Sequence, residues 1–174
     1  MKSESYQRLE REFEAFAADL DISPTDYARA VSSYQAVGSW LEGGYDAGSY
    51  HGSQSKPKIY PQGSMRLGTV VRPLRGGKDA AYDVDLVCEL QVGEIEESHE
   101  NARAVKQQVG NRLRGNELYK FKLDEEGRRY WTLEYAKDSG IGFHIDVLPC
   151  VPSESQARIT ESKYPKYPYT AHEY

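Results

Sequence analysis

Apolar residues recur at helical spacing in two segments near the N-terminus. The first segment spans residues 5–20, where the apolar stripe consists of Tyr6, Leu9, Phe13, Phe16, Ala17 and Leu20. A second helix is predicted to begin at Ser23, with Pro24 at its first position, and to end at Gly43-Gly44. Both helices are interpreted as a scaffold that packs on a sheet.

Two later segments alternate apolar and polar residues, as strands with one buried face do. In residues 82–90, Asp83 and Asp85 fall opposite an apolar face that consists of Val84, Leu86, Cys88 and Leu90. In residues 142–148, Asp146 falls opposite an apolar face that consists of Phe143, Ile145 and Val147. The alternation predicts that three carboxylates lie on the outer faces of otherwise buried strands.

Capping and turn residues predict the remaining elements. These are a strand at 58–60 that ends at Pro61, a helical turn opening at Ser64, a flexible connection at 73–78, a helix from Ser98 to Leu113, a hairpin at 119–135 around the acidic turn 124–127, and an end to the last strand at Pro149 and Pro152.

The carboxylates carry the first chemical signal. Asp83 and Asp85 share a face of one strand, where two nearby negative charges repel each other and each is costly to bury unpaired. A divalent cation relieves that repulsion, and oxygen ligands of this kind suit Mg²⁺. The upstream Gly63-Ser64 turn offers backbone N–H groups and a hydroxyl, which suit a phosphate. Metal and phosphate together indicate phosphoryl or nucleotidyl transfer.

Each of these motifs also has an ordinary structural explanation. An Asp-x-Asp pair is often a solvated turn or an edge strand, and Gly-Ser is a common loop dipeptide. Asp146 alone is equally well a capped or salt-bridged aspartate of the core. The order and combination of the three motifs favour the catalytic interpretation.

Read together, the motifs resemble a known superfamily, the DNA-polymerase-β-like nucleotidyltransferases. The matching residues are Gln62-Gly63-Ser64-Met65-Arg66-Leu67-Gly68-Thr69, Asp83-Val84-Asp85 and Asp146. Within that superfamily, the runs at 60–65 and 82–90 resemble the bacterial cGAS/DncV-like nucleotidyltransferases. Those enzymes make cyclic di- or trinucleotide signals for anti-phage defence, and the resemblance covers roughly residues 1–150.

The resemblance implies an α+β nucleotidyltransferase fold, in which helices flank a mixed β-sheet. It implies a metal-dependent enzyme that uses nucleoside triphosphates, ATP or GTP, and releases pyrophosphate. The implied catalytic residues, which also bind two Mg²⁺ ions (with Mn²⁺ as an alternative), are Asp83, Asp85 and Asp146. The implied nucleotide-binding residues are Gln62, Gly63, Ser64, Met65 and Arg66.

Domain organisation follows from the same comparison. Residues 1–152 are predicted to form the catalytic lobe, with a helical scaffold at 1–44 and the sheet with the active site at 56–150. The Pro- and Tyr-rich residues 153–174 are interpreted as a linker or the start of a further lobe. Similar enzymes continue with a helical C-terminal lobe, whereas only 28 residues follow Asp146 in this sequence. We therefore expect that lobe to be absent here. A truncated gene, an expressed fragment and one part of a split enzyme all fit, and the expected partners are a complementary lobe or a regulatory protein.

Charge is distributed unevenly along the 174 residues, whose formal net charge is −5. The negative total argues against general nucleic-acid binding. Residues 47–78 nevertheless contain no acid and six bases, which are Lys56, Lys58, Arg66, Arg72, Arg75 and Lys78. This basic block brackets the Gly63-Ser64 turn, as polyphosphate binding requires, and Arg66 is the base expected closest to the phosphates. The alternative is an ordinary solvated basic loop.

Cysteine use and hydropathy address the cellular compartment. Cys88 and Cys150 lie far apart in or beside apolar strands, and we expect reduced, buried thiols and a cytoplasmic protein. No apolar run approaches the length of about 18 residues that spans a membrane.

Two other functions remain open from the sequence. One is a different nucleotidyltransferase of the same superfamily, which adds nucleotides to RNA or adenylylates a protein. The other is an inactive nucleotide-binding module that kept the fold and lost turnover.

Overall fold

A computed structural model describes residues 4–92, 99–124, 127, 129–135 and 141–152. Within these residues the elements follow the order α1 (Glu4–Leu20), α2 (Pro24–Glu42), β1 (Lys58–Pro61), α3 (Gly63–Leu67), β2 (Leu74–Arg75), β3 (Lys78–Asp79), β4 (Tyr82–Glu89), α4 (His99–Arg114), α5 (Glu117–Lys122), β5 (Trp131–Tyr135) and β6 (Phe143–Cys150). Predictions that concern the cap at Ser98, residues 125 and 126 of the acidic turn, and the tail at 153–174 lie outside the described residues.

Four of the strands form one mixed sheet in the order β1-β4-β6-β5. β4 and β6 run parallel, whereas β1 pairs antiparallel with β4 and β5 pairs antiparallel with β6. The two strands that carry the aspartates therefore lie side by side in the middle of the sheet. This arrangement confirms the predicted α+β fold with a mixed sheet flanked by helices.

The core lies between the sheet and the helices α2 and α4. α2 packs against β1 and β4, and α4 packs against β6. The predicted apolar faces of both central strands are buried, including Val84, Leu86, Ile145 and Val147 at 0% exposure. Burying one complete face of each strand fixes the register, because a shift by one residue would exchange the two faces.

The N-terminus of α2 is tied directly to the central strands. Ser23 caps the helix as predicted, and its Oγ accepts a hydrogen bond from the Asp26 backbone N–H over 3.0 Å. The buried Asp26 carboxylate also accepts from the backbone N–H of Ile141 over 3.1 Å, while its backbone carbonyl accepts from the Tyr82 hydroxyl over 3.1 Å. α2 therefore anchors the start of both β4 and β6.

Helix α1 contradicts the scaffold interpretation. It forms where predicted, yet none of its residues is buried, and Phe13 and Phe16 are 64% and 62% exposed. Directly after the C-terminal end of α1, Asp21 forms an isolated β-bridge with Val71. Within the described residues α2 and α4 cover the helical side of the sheet, and the large apolar side chains of α1 are exposed.

The predicted hairpin at 119–135 was wrong in its first arm. Residues Glu117–Lys122 form helix α5, because the Asn116 side chain caps it by accepting from the backbone N–H groups of Leu118 and Tyr119 over 2.9 and 3.3 Å. At the end of this arm, Leu123 forms an isolated bridge with Leu133, and the Asp124 backbone N–H donates to the Thr132 carbonyl oxygen over 3.0 Å. The apolar spacing of this arm is compatible with one helical turn, and the cap favours the helix.

Two further connections differ from prediction. The segment at 73–78, expected to be flexible, belongs to a small β2–β3 hairpin that turns at Gly76 and Gly77, both with positive φ. β6 does not end at Pro149 but continues to Cys150. The pairing of β5 with β6 ends at Val147. Pro149 lies beyond it, so its missing N–H removes no hydrogen bond between these two strands.

Both cysteines are free, but only Cys88 has the burial predicted for the pair. Cys88 is buried in β4 and Cys150 is half-buried in β6, and both are free thiols. Within the described part of the chain, no helix combines the length and apolarity that a membrane span requires.

Candidate active site

Strand register brings the three predicted aspartates onto one face of the sheet. Asp85 of β4 lies directly beside Asp146 of β6, and Asp83 lies beside His144. Alternation along each strand places all four side chains on the face opposite the core. Neighbouring strands lie about 4.7–4.9 Å apart, so residues separated by 61 positions in sequence become lateral neighbours.

Asp83 is the most exposed of the three. Its side chain is 70% exposed, and its Oδ1 lies 3.4 Å from Nδ1 of His144. The imidazole is the nearest described partner of this carboxylate. A protonated His144 would form an ion pair here, whereas a neutral one would offer at most a hydrogen bond.

Asp146 occupies a more enclosed position. Burial raises the pKa of this carboxyl, the hydrogen bond from Thr132 lowers it, and the charges of Asp83 and Asp85 raise it. The Thr132 Oγ1–H donates to Asp146 Oδ1 over 2.7 Å. The three aspartates are therefore close enough to interact electrostatically, and their mutual repulsion favours a cation on this face.

The glycine turn lies against the Asp85 carboxylate. Gly63 has φ +60°, in the left-handed region that side chains with a Cβ avoid. A Cβ at this position would come within 3.0 Å of Asp85 Oδ2. The backbone N–H of Gln62 donates to the carbonyl oxygen of Asp85 over 2.8 Å. The predicted phosphate turn and the predicted metal ligands therefore meet in space.

The rest of the turn is a short helix with one buried anchor. Met65 is 5% exposed and its side chain belongs to the core, so only its backbone can contact a nucleotide. Gly68, with φ +66°, closes the helix by donating its N–H to the Ser64 carbonyl. Gln62 and Arg66 are exposed and Ser64 is half-buried. The predicted nucleotide-binding roles of these residues remain predictions.

The donor set suits a hard divalent cation, since all three candidate ligands are carboxylates on a common face. In the described residues, however, no group of three or more His, Cys, Asp and Glu side chains is arranged to hold a metal ion. Asp83 and Asp146 instead interact with His144 and Thr132. The chemistry fits Mg²⁺, and the assignment of Asp83, Asp85 and Asp146 as metal ligands remains a prediction.

Part of the predicted basic block is used structurally. Lys56 pairs with Asp46 at 3.2 Å, and Lys58 lies 3.8 Å from the buried Glu89. Arg72 lies 3.4 Å from Asp79 across the base of the β2–β3 hairpin. Three of the six bases in residues 47–78 therefore lie beside acidic side chains of the protein. Arg66, in α3, is the base closest in sequence to the Gly63-Ser64 turn.

Comparison with known proteins agrees with this geometry. Residues 57–150 match the family described as cyclic GMP-AMP synthase DncV-like, nucleotidyltransferase domain. The chain belongs to this nucleotidyltransferase family. It is also 30% identical over 147 residues to a c-di-GMP synthase of Roseivirga ehrenbergii, a match that covers 84% of this chain and 35% of the relative. The chain thus spans about a third of the length of that relative.

Two residues at this DncV-like site were not singled out from the sequence. His144 was given no role, and Thr132 was missed because its strand was assigned to a hairpin with residues 119–123. The alternation of Trp131 and Leu133 with Thr132 contained the signal. Only the pairing of β5 with β6 shows that Thr132 lies opposite Asp146.

Proposed function

We propose that this chain is the catalytic lobe of an enzyme that joins nucleoside triphosphates into a cyclic dinucleotide and releases pyrophosphate. The observation that carries the proposal is the contact between the Gly63 turn and Asp85, with Asp146 beside Asp85 in the register. A phosphate-binding turn directly against paired carboxylates is the arrangement that nucleotidyl transfer needs.

The triphosphate would bind at the start of α3. The absent side chain of Gly63 lets a phosphate approach the backbone, and the Ser64 hydroxyl adds a donor. Arg66, exposed on the same short helix, would contribute positive charge, and Gln62 a polar contact. These residues would hold the β- and γ-phosphates and direct the α-phosphorus toward the carboxylates.

Asp83, Asp85 and Asp146 would hold two divalent cations. Mg²⁺, or Mn²⁺ in its place, would neutralise charge on the attacking and leaving oxygens when bound. To bind it, the carboxylate of Asp83 would turn from His144 toward the common centre, whereas Asp146 would keep its hydrogen bond from Thr132. Asp146 would also help to accept the proton of the acceptor hydroxyl.

In the reaction, the acceptor hydroxyl oxygen forms a bond to the α-phosphorus while the bond between the α-phosphorus and the bridging oxygen of pyrophosphate breaks. A second transfer of the same kind would close the ring. The protein's contribution is position and electrostatics, because phosphoryl-type transfer requires little covalent chemistry from side chains.

The substrate and setting follow from the relative and from the resemblance. Because the relative is named a c-di-GMP synthase, we propose GTP as the preferred nucleotide and cyclic di-GMP as the product. The product would serve as a second messenger in anti-phage signalling in the cytoplasm, where the free thiols of Cys88 and Cys150 would persist. The complete reaction would also require the acceptor half of the site, supplied by a complementary lobe.

Binding and turnover test the proposal separately. Isothermal titration of the chain with GTP, and in parallel with ATP, in the presence of Mg²⁺ should show binding that the double variant Asp83→Asn/Asp85→Asn loses. Thin-layer chromatography of [α-³²P]GTP after incubation with the chain and a complementary lobe should then show a phosphatase-resistant product.

The two readouts separate the alternatives. Binding by the double variant as tight as by the wild-type chain would exclude the carboxylate site. Mg²⁺-dependent binding without any product, even with a complementary lobe supplied, would instead indicate a nucleotide-binding module. A labelled RNA or protein in place of a cyclic product would indicate one of the other nucleotidyltransferase activities.

A further inference from the structure

Strand β5 brings a hydroxyl to the candidate active site. Thr132 lies directly opposite Asp146 in the antiparallel pairing of β5 with β6. Its Oγ1–H donates to Asp146 Oδ1 over 2.7 Å, a short hydrogen bond to a half-buried carboxylate. The protein therefore holds one oxygen of this carboxylate, Oδ1, through the Thr132 hydroxyl.

The position of Thr132 is fixed from the opposite face of the sheet. Its neighbours Trp131 and Leu133 are 1% and 0% exposed. The Trp131 indole Nε1–H donates to the carbonyl oxygen of Lys106 over 2.9 Å. A Cβ added at Gly110 of α4 would come within 3.0 Å of the indole ring, so helix and ring are in close contact. A shift of β5 would break this packing, and Thr132 is thereby held facing Asp146.

We propose that Thr132 is a positioning residue that orients the Asp146 carboxylate for cation binding. The inference rests on the proposed function, in which Asp146 is a ligand. A carboxylate with two side-chain torsions has several orientations, and the charges of Asp83 and Asp85 disfavour its ionised form on this face. The Thr132 hydrogen bond selects one orientation in advance, so that less ordering is required when the cation binds.

Groups that orient metal ligands typically contribute 10- to 100-fold to metal affinity or activity. We expect the same range for Thr132. The competing explanation is that residue 132 is a threonine only because β-branched residues favour strands, with no role for the hydroxyl. Valine has nearly the same shape and a strong strand preference but no hydroxyl, whereas serine keeps the hydroxyl and loses the methyl group. The two substitutions separate orientation from strand formation.

The experiment measures Mn²⁺ affinity of the full 174-residue chain by electron paramagnetic resonance, with a non-hydrolysable GTP analogue present. Thr132→Val should bind Mn²⁺ at least about 10-fold more weakly than wild type, whereas Thr132→Ser should stay within about 3-fold. Urea denaturation of each variant shows whether the fold is intact. Should Thr132→Val fail to fold, Thr132→Ala, which also lacks the hydroxyl, supplies the same comparison.

A reference variant distinguishes this inference from the proposed function. If Asp83→Asn/Asp85→Asn loses Mn²⁺ while Thr132→Val and Thr132→Ala keep wild-type affinity, the positioning role is overturned and the site stands. If the double aspartate variant keeps wild-type affinity, the proposed function itself fails. Equal losses in Thr132→Ser and Thr132→Val would also overturn the inference, because the hydroxyl would then not be the group that matters.

Discussion

The contact between Gly63 and Asp85 gives a sharp test of the site. Gly63 and Gly68 begin and close the same short helix, with φ of +60° and +66°. They differ in their surroundings. A Cβ at Gly63 would meet Asp85 Oδ2 within 3.0 Å, whereas a Cβ at Gly68 would have nothing within 4 Å. Alanine at either position therefore imposes the same backbone strain, but only alanine at residue 63 also collides with the Asp85 carboxylate.

The expected costs follow from these two terms. A left-handed conformation costs a residue with a Cβ about 1–2 kcal/mol, and the loss of unfolded-state freedom on replacing glycine offsets about 0.4–1 kcal/mol. Gly68→Ala should therefore lower the free energy of unfolding by about 1 kcal/mol. Overpacking adds about 1–3 kcal/mol, so Gly63→Ala should lower it by about 2–4 kcal/mol in total.

Urea denaturation of both variants measures the difference, and a double-mutant cycle assigns it. In an Asp85→Ala background the colliding carboxylate is gone, so Gly63→Ala should cost no more than Gly68→Ala. Gly63→Ala should also weaken GTP binding in the presence of Mg²⁺, while Gly68→Ala should leave it nearly unchanged.

Equal destabilisation by Gly63→Ala and Gly68→Ala would refute the contact between the turn and Asp85. So would a cost of Gly63→Ala that persists unchanged after Asp85→Ala. In either case the argument that joins the phosphate turn to the carboxylates would lose its structural support.

Three further predictions concern stability. Asp83→Asn/Asp85→Asn should leave the metal-free free energy of unfolding unchanged or higher, because carboxylate repulsion is relieved; a clear loss in urea denaturation would argue against that repulsion. Burial raises the folded-state pKa of Asp146 above its unfolded value, so its contribution to stability is present at low pH and is lost as pH rises through the folded pKa. Asp146→Asn should therefore be more stable than wild type at pH 7, and thermal unfolding across pH should show that advantage disappearing below about pH 4. Asn116→Ala should cost about 1 kcal/mol through loss of the α5 cap, and a change near zero in chemical denaturation would mean that the cap contributes nothing.

Local patterns in the sequence determined much of the site. Alternation in residues 82–90 and 142–148 was enough to predict that Asp83, Asp85 and Asp146 face away from the core. Once the apolar face of a strand is buried, the alternating residues must point to the opposite face. Capping chemistry located the start of α2 at Ser23 for a similar reason, since the cap satisfies backbone groups within a few residues. These features depend on neighbours along the chain.

Tertiary structure decided the features that depend on distant residues. The arm at 119–123 contains a pattern short enough for either a helix or a strand, and packing of α5 on α4 and β5 selected the helix that the local Asn116 cap favours. The exposure of α1 was equally undetermined, because an apolar stripe does not specify which surface covers it. The hydrogen bond between Thr132 and Asp146 exists only because β5 pairs with β6 in one register, and that register is set by burial of Trp131 and Leu133 against α4 and α5 rather than by the residues around Thr132.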